Sequence, residues 1–179
     1  MKEEIKIMKY VGKFEKVSFE QFEKDWINTF GSGKSEDIKY IYDSVSLPTR
    51  ATKFSAGYDF KSPINFTLEA NQTIKIPTGI RVKIDESWVL KIYPRSSLGF
   101  KYRLQLNNGT GIVDSDYYYS DNEGHIFLKL TNDTNEDRTL EINRGDGVVQ
   151  GIFVEYGITV DDECENVRNG GIGSTNISK

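Results

Sequence analysis

From about residue 46 onward, apolar and polar positions alternate in short runs: Ile74/Ile76, Ile80/Val82/Ile84, Trp88 to Tyr93, and Ile126/Leu128/Leu130. A period of two sends successive side chains to opposite faces, so each run predicts a half-buried strand. Clusters of Gly, Pro, Asn and Asp separate the runs and no long helical pattern intervenes, which predicts an all-β sandwich or barrel without internal repeats. The first 45 residues follow a different rule. Phe19, Phe22, Trp26, Ile27 and Phe30 recur at helical spacing opposite Glu20, Glu23, Lys24 and Asp25, and Ser18 with Gln21 three positions on resembles a capping box. This spacing predicts an amphipathic helix over 18–30, stopped by Gly31, Ser32 and Gly33, and then a short strand over 38–42. The final RNGGIGSTNISK has the composition of a flexible tail. Three parts are therefore expected: an extension over 1–45, a β domain over 46–163 and a tail over 164–179.

A chain of 179 residues can bury roughly 70% of its unfolded surface, so neither a metal nor a disulfide is needed to fold it. Hydrophobic residues make up 37% and charged residues 28%, which excludes a disordered chain. No apolar run approaches the roughly 18 residues of a membrane span, and MKEEIKIMKY lacks a signal-peptide core, so a cytoplasmic protein with no membrane partner is expected. Cys164 is the only cysteine and lies among Asp162, Glu163 and Glu165, which excludes an internal disulfide and disfavours a thiolate nucleophile. His125 is the only histidine, which excludes zinc sites built on several imidazoles. With a net charge of −4 and no dense Lys/Arg run, the chain lacks the field that holds a nucleic acid polymer. A small anion can still be held by a few Arg residues, backbone N–H groups and a divalent cation.

Five short segments carry candidate chemistry in loops or at strand ends: AGYDF at 56–60, PRSSLGF at 94–100, NNGTGIVDSDYYY at 107–119, GDGVVQ at 145–150 and RNGGIGST at 168–175. Each alone is an ordinary turn sequence. Together, in this order and at these separations, they resemble the five motifs of the trimeric dUTPase family, over roughly residues 46–176. The resemblance implies a jelly-roll-like distorted β barrel, a homotrimer with active sites between subunits, dUTP as substrate, and Mg2+ as cofactor.

Residue by residue, Asp114 matches the catalytic carboxylate that orients the attacking water. A carboxylate is a weak base at neutral pH, so positioning carries much of that role. Asn108, Gly109, Gly111 and Ile112 match the hairpin that reads uracil, the glycines allowing close backbone approach. Tyr117 matches the ring on which the sugar packs, leaving no room for a ribose 2′-hydroxyl. Arg95, Ser96, Ser97 and Gln150 match phosphate-binding positions, where a guanidinium fork suits phosphate oxygens. Asp59 matches an outer-shell magnesium anchor acting through water, and Arg168, Ile172, Gly173, Ser174 and Thr175 match the tail that covers base and phosphates.

Three departures from the family pattern stand out. YYSDNE lengthens the link between Tyr117 and Gly124, Gly147 replaces a basic residue and with it a supporting ion pair, and Ile172 replaces a phenylalanine over the base. A dCTP deaminase, which resembles dUTPases in fold, needs a glutamate near the position of Lys129, so deamination is disfavoured. A non-catalytic regulator that uses the 18–30 helix to engage a protein partner is the reading from a different class.

Overall fold

The computed structural model describes residues 9–166, 168 and 170 of the chain. Strand β1 (Gly12–Lys16) opens it, followed by helices α1 (Phe19–Phe30) and α2 (Ser35–Ser44). Then come β2 (Thr49–Arg50), β3 (Tyr58–Lys61), β4 (Phe66–Leu68), β5 (Thr73–Pro77), β6 (Ile80–Ile84) and β7 (Trp88–Pro94). Helix α3 (Ser96–Tyr102) precedes β8 (Leu104–Leu106) and β9 (Gly111–Val113), a 3-10 turn spans Ser115–Tyr119, and β10 (Phe127–Asn132), β11 (Leu140–Ile142) and β12 (Gly147–Glu155) complete the order. The fold is all-β and jelly-roll-like. Among the described residues the strands form four sheets, β2-β3-β12-β7-β9, β5-β10-β8, β1-β6 and β11-β4, and do not close into one hydrogen-bonded barrel.

The inward faces of these sheets share one core that includes Phe60, Ile76, Leu90, Leu104, Leu130, Leu140 and Val148. Alternation along β10 shows how it is built: Leu128 and Leu130 are buried while Lys129 between them faces solvent.

Helix α1 forms where its cap and stripe place it. The Ser18 hydroxyl accepts from the Gln21 N–H, and Gly31 ends the helix in the left-handed conformation at φ 78° while donating to the Ile27 carbonyl. Residues 38–42 are helical rather than extended, a correction to the alternation of Ile38, Tyr40 and Tyr42. Glu36 and Asp37 in the first turn favour the helix N-terminus, and Ile38, Ile41 and Tyr42 then fall on the face that packs against Phe22 and Trp26. The aromatic stripe of α1 is thus covered within the chain: Phe22 is fully buried and Trp26 nearly so, while Ile27 and Phe30 stay partly exposed.

Polar ties fix the extension to the β-sheets. Strand β1 pairs with β6, and the Ser18 backbone N–H and hydroxyl both donate to the Glu123 carboxylate, at 2.7 and 2.6 Å. Arg81 on β6 donates to the Tyr118 hydroxyl at 2.6 Å and reaches Glu15 at 3.3 Å, while Tyr118 donates to Glu15 at 2.7 Å. Hydrogen bonds from Lys13 and Tyr118 hold the Glu15 carboxyl at about 2, below its ordinary 4.5.

Phe22→Ala, which empties the junction between extension and sheets, is expected to destabilise the protein by about 3–5 kcal/mol in urea denaturation. Because the Glu15 carboxyl lies lower folded than unfolded, its stabilisation is complete above pH 4.5 and fades as pH falls toward about 2. The melting-temperature gap between wild type and Glu15→Gln should therefore be wider at pH 7 than at pH 2.5. An unchanged gap would place Glu15 outside the acid response.

Candidate functional site

The third motif builds one wall of a cleft. Strand β8 turns at Asn107–Thr110 into β9, and Gly109 adopts φ 72°, where a Cβ would be strained. Gly111 has another reason to lack a side chain: a Cβ there would come within 3.0 Å of the Ile92 Cβ on β7. The resulting cleft of about 200 Å³ is lined by Asn108, Gly111, Ile112, Tyr117, Phe127 and Arg168, with Ile92, Val113 and Ile126 behind them. Ile112 is half-exposed toward it, as a surface waiting for an apolar face would be.

Asp114 follows β9 and caps the 3-10 turn without a side-chain capping bond, and its carboxylate instead meets Arg168, which lines the cleft. Tyr117, in that turn, is buried. Its hydroxyl donates to the His125 carbonyl at 2.8 Å and accepts from Asn122 Nδ2 at 2.9 Å, and burial pushes its ionisation upward. The YYSDNE departure is therefore an ordered segment. Ser120, Asn122 and Glu123 all bond inward, and Gly124, at φ 71°, lies so close to the Tyr117 carbonyl that a Cβ would come within 2.8 Å of it.

A second cluster gathers where β3, β12 and β7 run side by side. Gln150 on β12 stands opposite Asp59 on β3 and Tyr93 on β7. Arg95, just past β7, pairs with Asp59 at 3.3 Å and donates to the Gly147 carbonyl at 3.4 Å. Ser96 and Ser97 form the exposed first turn of α3, so PRSSLGF is helical over most of its length rather than a loop.

Two glycines make room in this cluster. A Cβ at Gly57 would meet the Gln150 side-chain oxygen at 2.4 Å, and one at Gly147 would meet the Arg95 guanidinium at 2.6 Å. The position expected to have lost an ion pair thus houses Arg95, whose charge is met by Asp59 instead.

The two clusters do not touch within one chain. Val113 pairs with Leu90, which puts Asp114 level with Val89, six residues along β7 from Arg95. At about 3.3 Å per residue this is roughly 20 Å. Arg168 joins the cleft rather than the Arg95 cluster: its guanidinium bonds Asp114 at 2.8 Å and Asp116 at 3.0 Å and lies 5.7 Å from the Tyr117 ring centre. Asp116 and Phe127 were not singled out in the sequence and Ile126 was read only as a strand position, since nothing there distinguishes them from turn and core residues. Ile172, Gly173, Ser174 and Thr175 lie outside the described residues.

Among the described residues no three His, Cys, Asp or Glu side chains gather to hold a metal ion, and no helix is long and apolar enough to cross a membrane. Comparison with known proteins agrees with the geometry. The dUTPase family model matches residues 43–178. The chain is 38% identical over 140 residues to the deoxyuridine 5'-triphosphate nucleotidohydrolase of Lactococcus lactis, covering 76% of this chain and 92% of that protein. It is also 38% identical over 152 residues to the Haemophilus ducreyi enzyme of the same name, covering 78% and 95%. The crystal structure of the Streptococcus mutans dUTPase superimposes with a TM-score of 0.59 at 31% identity, over 82% of this chain and 97% of that one. A chain that carries all five segments in order, folds into these sheets and matches these relatives across most of their length belongs to the dUTPase family.

Proposed function

We propose that the chain hydrolyses dUTP to dUMP and pyrophosphate, with the attacking water held by Asp114. The observation that carries this reading is the cleft itself, which gathers the Asn107–Thr110 turn, the edge strand β9, the buried Tyr117 ring and Arg168, bonded to Asp114, around one space. The Asn108 amide and the backbone around Gly111 offer the uracil edge a complementary set of donors and acceptors. Cytosine would leave buried groups unpaired, a mismatch worth up to ~10⁴-fold in rate. The Tyr117 ring packs on the deoxyribose where a 2′-hydroxyl would have to fit.

Water oxygen attacks the α-phosphorus as Asp114 takes up its proton, and the bond to the bridging oxygen breaks so that pyrophosphate leaves with the electron pair. Arg95, Ser96, Ser97 and Gln150 meet the charge that grows on the leaving group. Magnesium, when bound, neutralises phosphate charge. The donor set fits that ion, because magnesium keeps several waters and takes phosphate oxygens, so Asp59 need contribute only one carboxylate through water. Arg168 has to release Asp114 before a water can take its place, and the phosphates then offer its guanidinium another anionic partner. The tail residues Ile172, Gly173, Ser174 and Thr175 complete the cover over base and phosphates in the same reading. A cytoplasmic place suits a soluble nucleotide substrate.

The roughly 20 Å between Asp114 and Arg95 supports a homotrimer in which each site joins the cleft of one subunit to the phosphate cluster of another. Product analysis with magnesium tests the activity: pyrophosphate and dUMP are expected from dUTP, and hardly any product from dCTP, dTTP or UTP. Comparable turnover of UTP or dTTP would remove the assigned specificity. Asp114→Asn and Arg95→Ala should each lose roughly 10² or more in kcat, and a refolded mixture of the two should regain activity, since some sites then join two intact halves. A mixture no more active than its components would put both residues in sites made by one chain.

A further inference from the structure

The family match begins at residue 43, so α1 and most of α2 lie outside it, yet α1 reaches the cleft through a buried polar chain. Asp25, on α1, is almost wholly buried, and its Oδ2 lies 2.6 Å from Nδ1 of His125, itself fully buried. On the other side of the ring the Gly79 backbone N–H donates to Nε2 at 2.8 Å. That N–H can only donate, which fixes the imidazole proton on Nδ1 and makes Asp25 its acceptor. Gln21 donates to the same carboxylate oxygen at 2.8 Å. Burial pushes the Asp25 carboxyl up, but the bonds from His125 and Gln21 outweigh it, so the group stays below its ordinary value.

The His125 ring is thus gripped from two sides, and its backbone carbonyl is the acceptor for the Tyr117 hydroxyl. His125 is followed by Ile126 and Phe127, which line the cleft beside Tyr117. The Phe127 ring lies 4.7 Å from the imidazole, tilted by 41°, and Phe22 of α1 packs 6.0 Å from it. The tyrosine ring and the segment behind it therefore take their position from a residue that the extension holds.

We infer that Asp25 is a positioning residue for nucleotide selection: through His125 it fixes the carbonyl on which Tyr117 is anchored, and so the distance between the Tyr117 ring and the sugar. The inference rests on the dUTPase reading of the cleft. Its physical basis is that displacements of about 1 Å in a positioning residue can cost 10²-fold in rate, and a ring free to withdraw by a fraction of that opens room for a 2′-hydroxyl. Fold stability alone would not move the ratio of two substrates that share base and phosphates, whereas the sugar wall would.

The test is the ratio of kcat/KM for dUTP over UTP in the full chain with magnesium. Asp25→Ala should lower it about tenfold, and Asp25→Asn, whose side-chain oxygen still accepts from both His125 and Gln21, should keep it within about twofold. Tyr117→Phe should lower the ratio by itself, and adding Asp25→Ala to it should bring little further loss, because the hydroxyl through which Asp25 acts is already gone. If Asp25→Ala melts below the assay temperature, Asp25→Ser, which leaves space for a bridging water, is assayed in its place with the same direction expected. Wild-type release of pyrophosphate from dUTP tests the underlying activity separately. With that activity present, a folded Asp25→Ala or Asp25→Ser at the wild-type ratio overturns the inference, as do fully additive losses in the double variant.

Discussion

The cluster of Arg95, Asp59 and Gln150 depends on strand β12. It is paired on both sides, with β3 and with β7, and its register slips between Gly147 and Val149. A slip of this kind re-aims the strand locally, and here it turns the Gly147 and Val148 carbonyls toward Arg95, which bonds both. Arg95 is then held between a backbone and the Asp59 carboxylate before any ligand arrives, so a flexible side chain has lost most of its freedom in advance. Gly151 shows how tightly the same strand is packed: a Cβ there would come within 2.9 Å of Leu90 and 3.0 Å of Phe60. Moving β12 would move Asp59, Gln150 and Arg95 together.

The cleft end follows a different logic. Its wall is a loop, the short edge strand β9 and a 3-10 turn, and it takes rigidity from what lies behind it: Ile92 under Gly111, His125 behind Tyr117, and α1 behind His125.

Legibility in the sequence tracked how local each feature is. Helix α1 could be read because Ser18, Gln21, the five-residue stripe and Gly31 all agree. Residues 38–42 read as a strand because Ile38, Tyr40 and Tyr42 alternate, and the acidic first turn with the packing against Phe22 and Trp26 decides for the helix. Strand β1 left no signal, since Phe14 is its only buried residue and one inward side chain makes no period. The family resemblance singled out Asp114, Tyr117, Asn108 and Arg95, but the sequence could not say which of them share a cluster in one chain. The Asp25–His125 bond spans 100 residues, and the space that Gly147 leaves for Arg95 is an absence of atoms, so neither has a sequence signature.

The length of the connection between extension and sheets also bears on how the chain is made. Ser18 and Glu123 stand 105 positions apart, and the stretch between them contributes most of the strands. At a synthesis rate of about 5–20 residues per second, Asp25 leaves the ribosome roughly 5–20 s before His125, its buried partner 100 positions on, is made. During that interval α2 covers the Phe22 and Trp26 face, but the Asp25 carboxylate has no imidazole to bond, so the helical pair can dock fully on the sheets only late in synthesis.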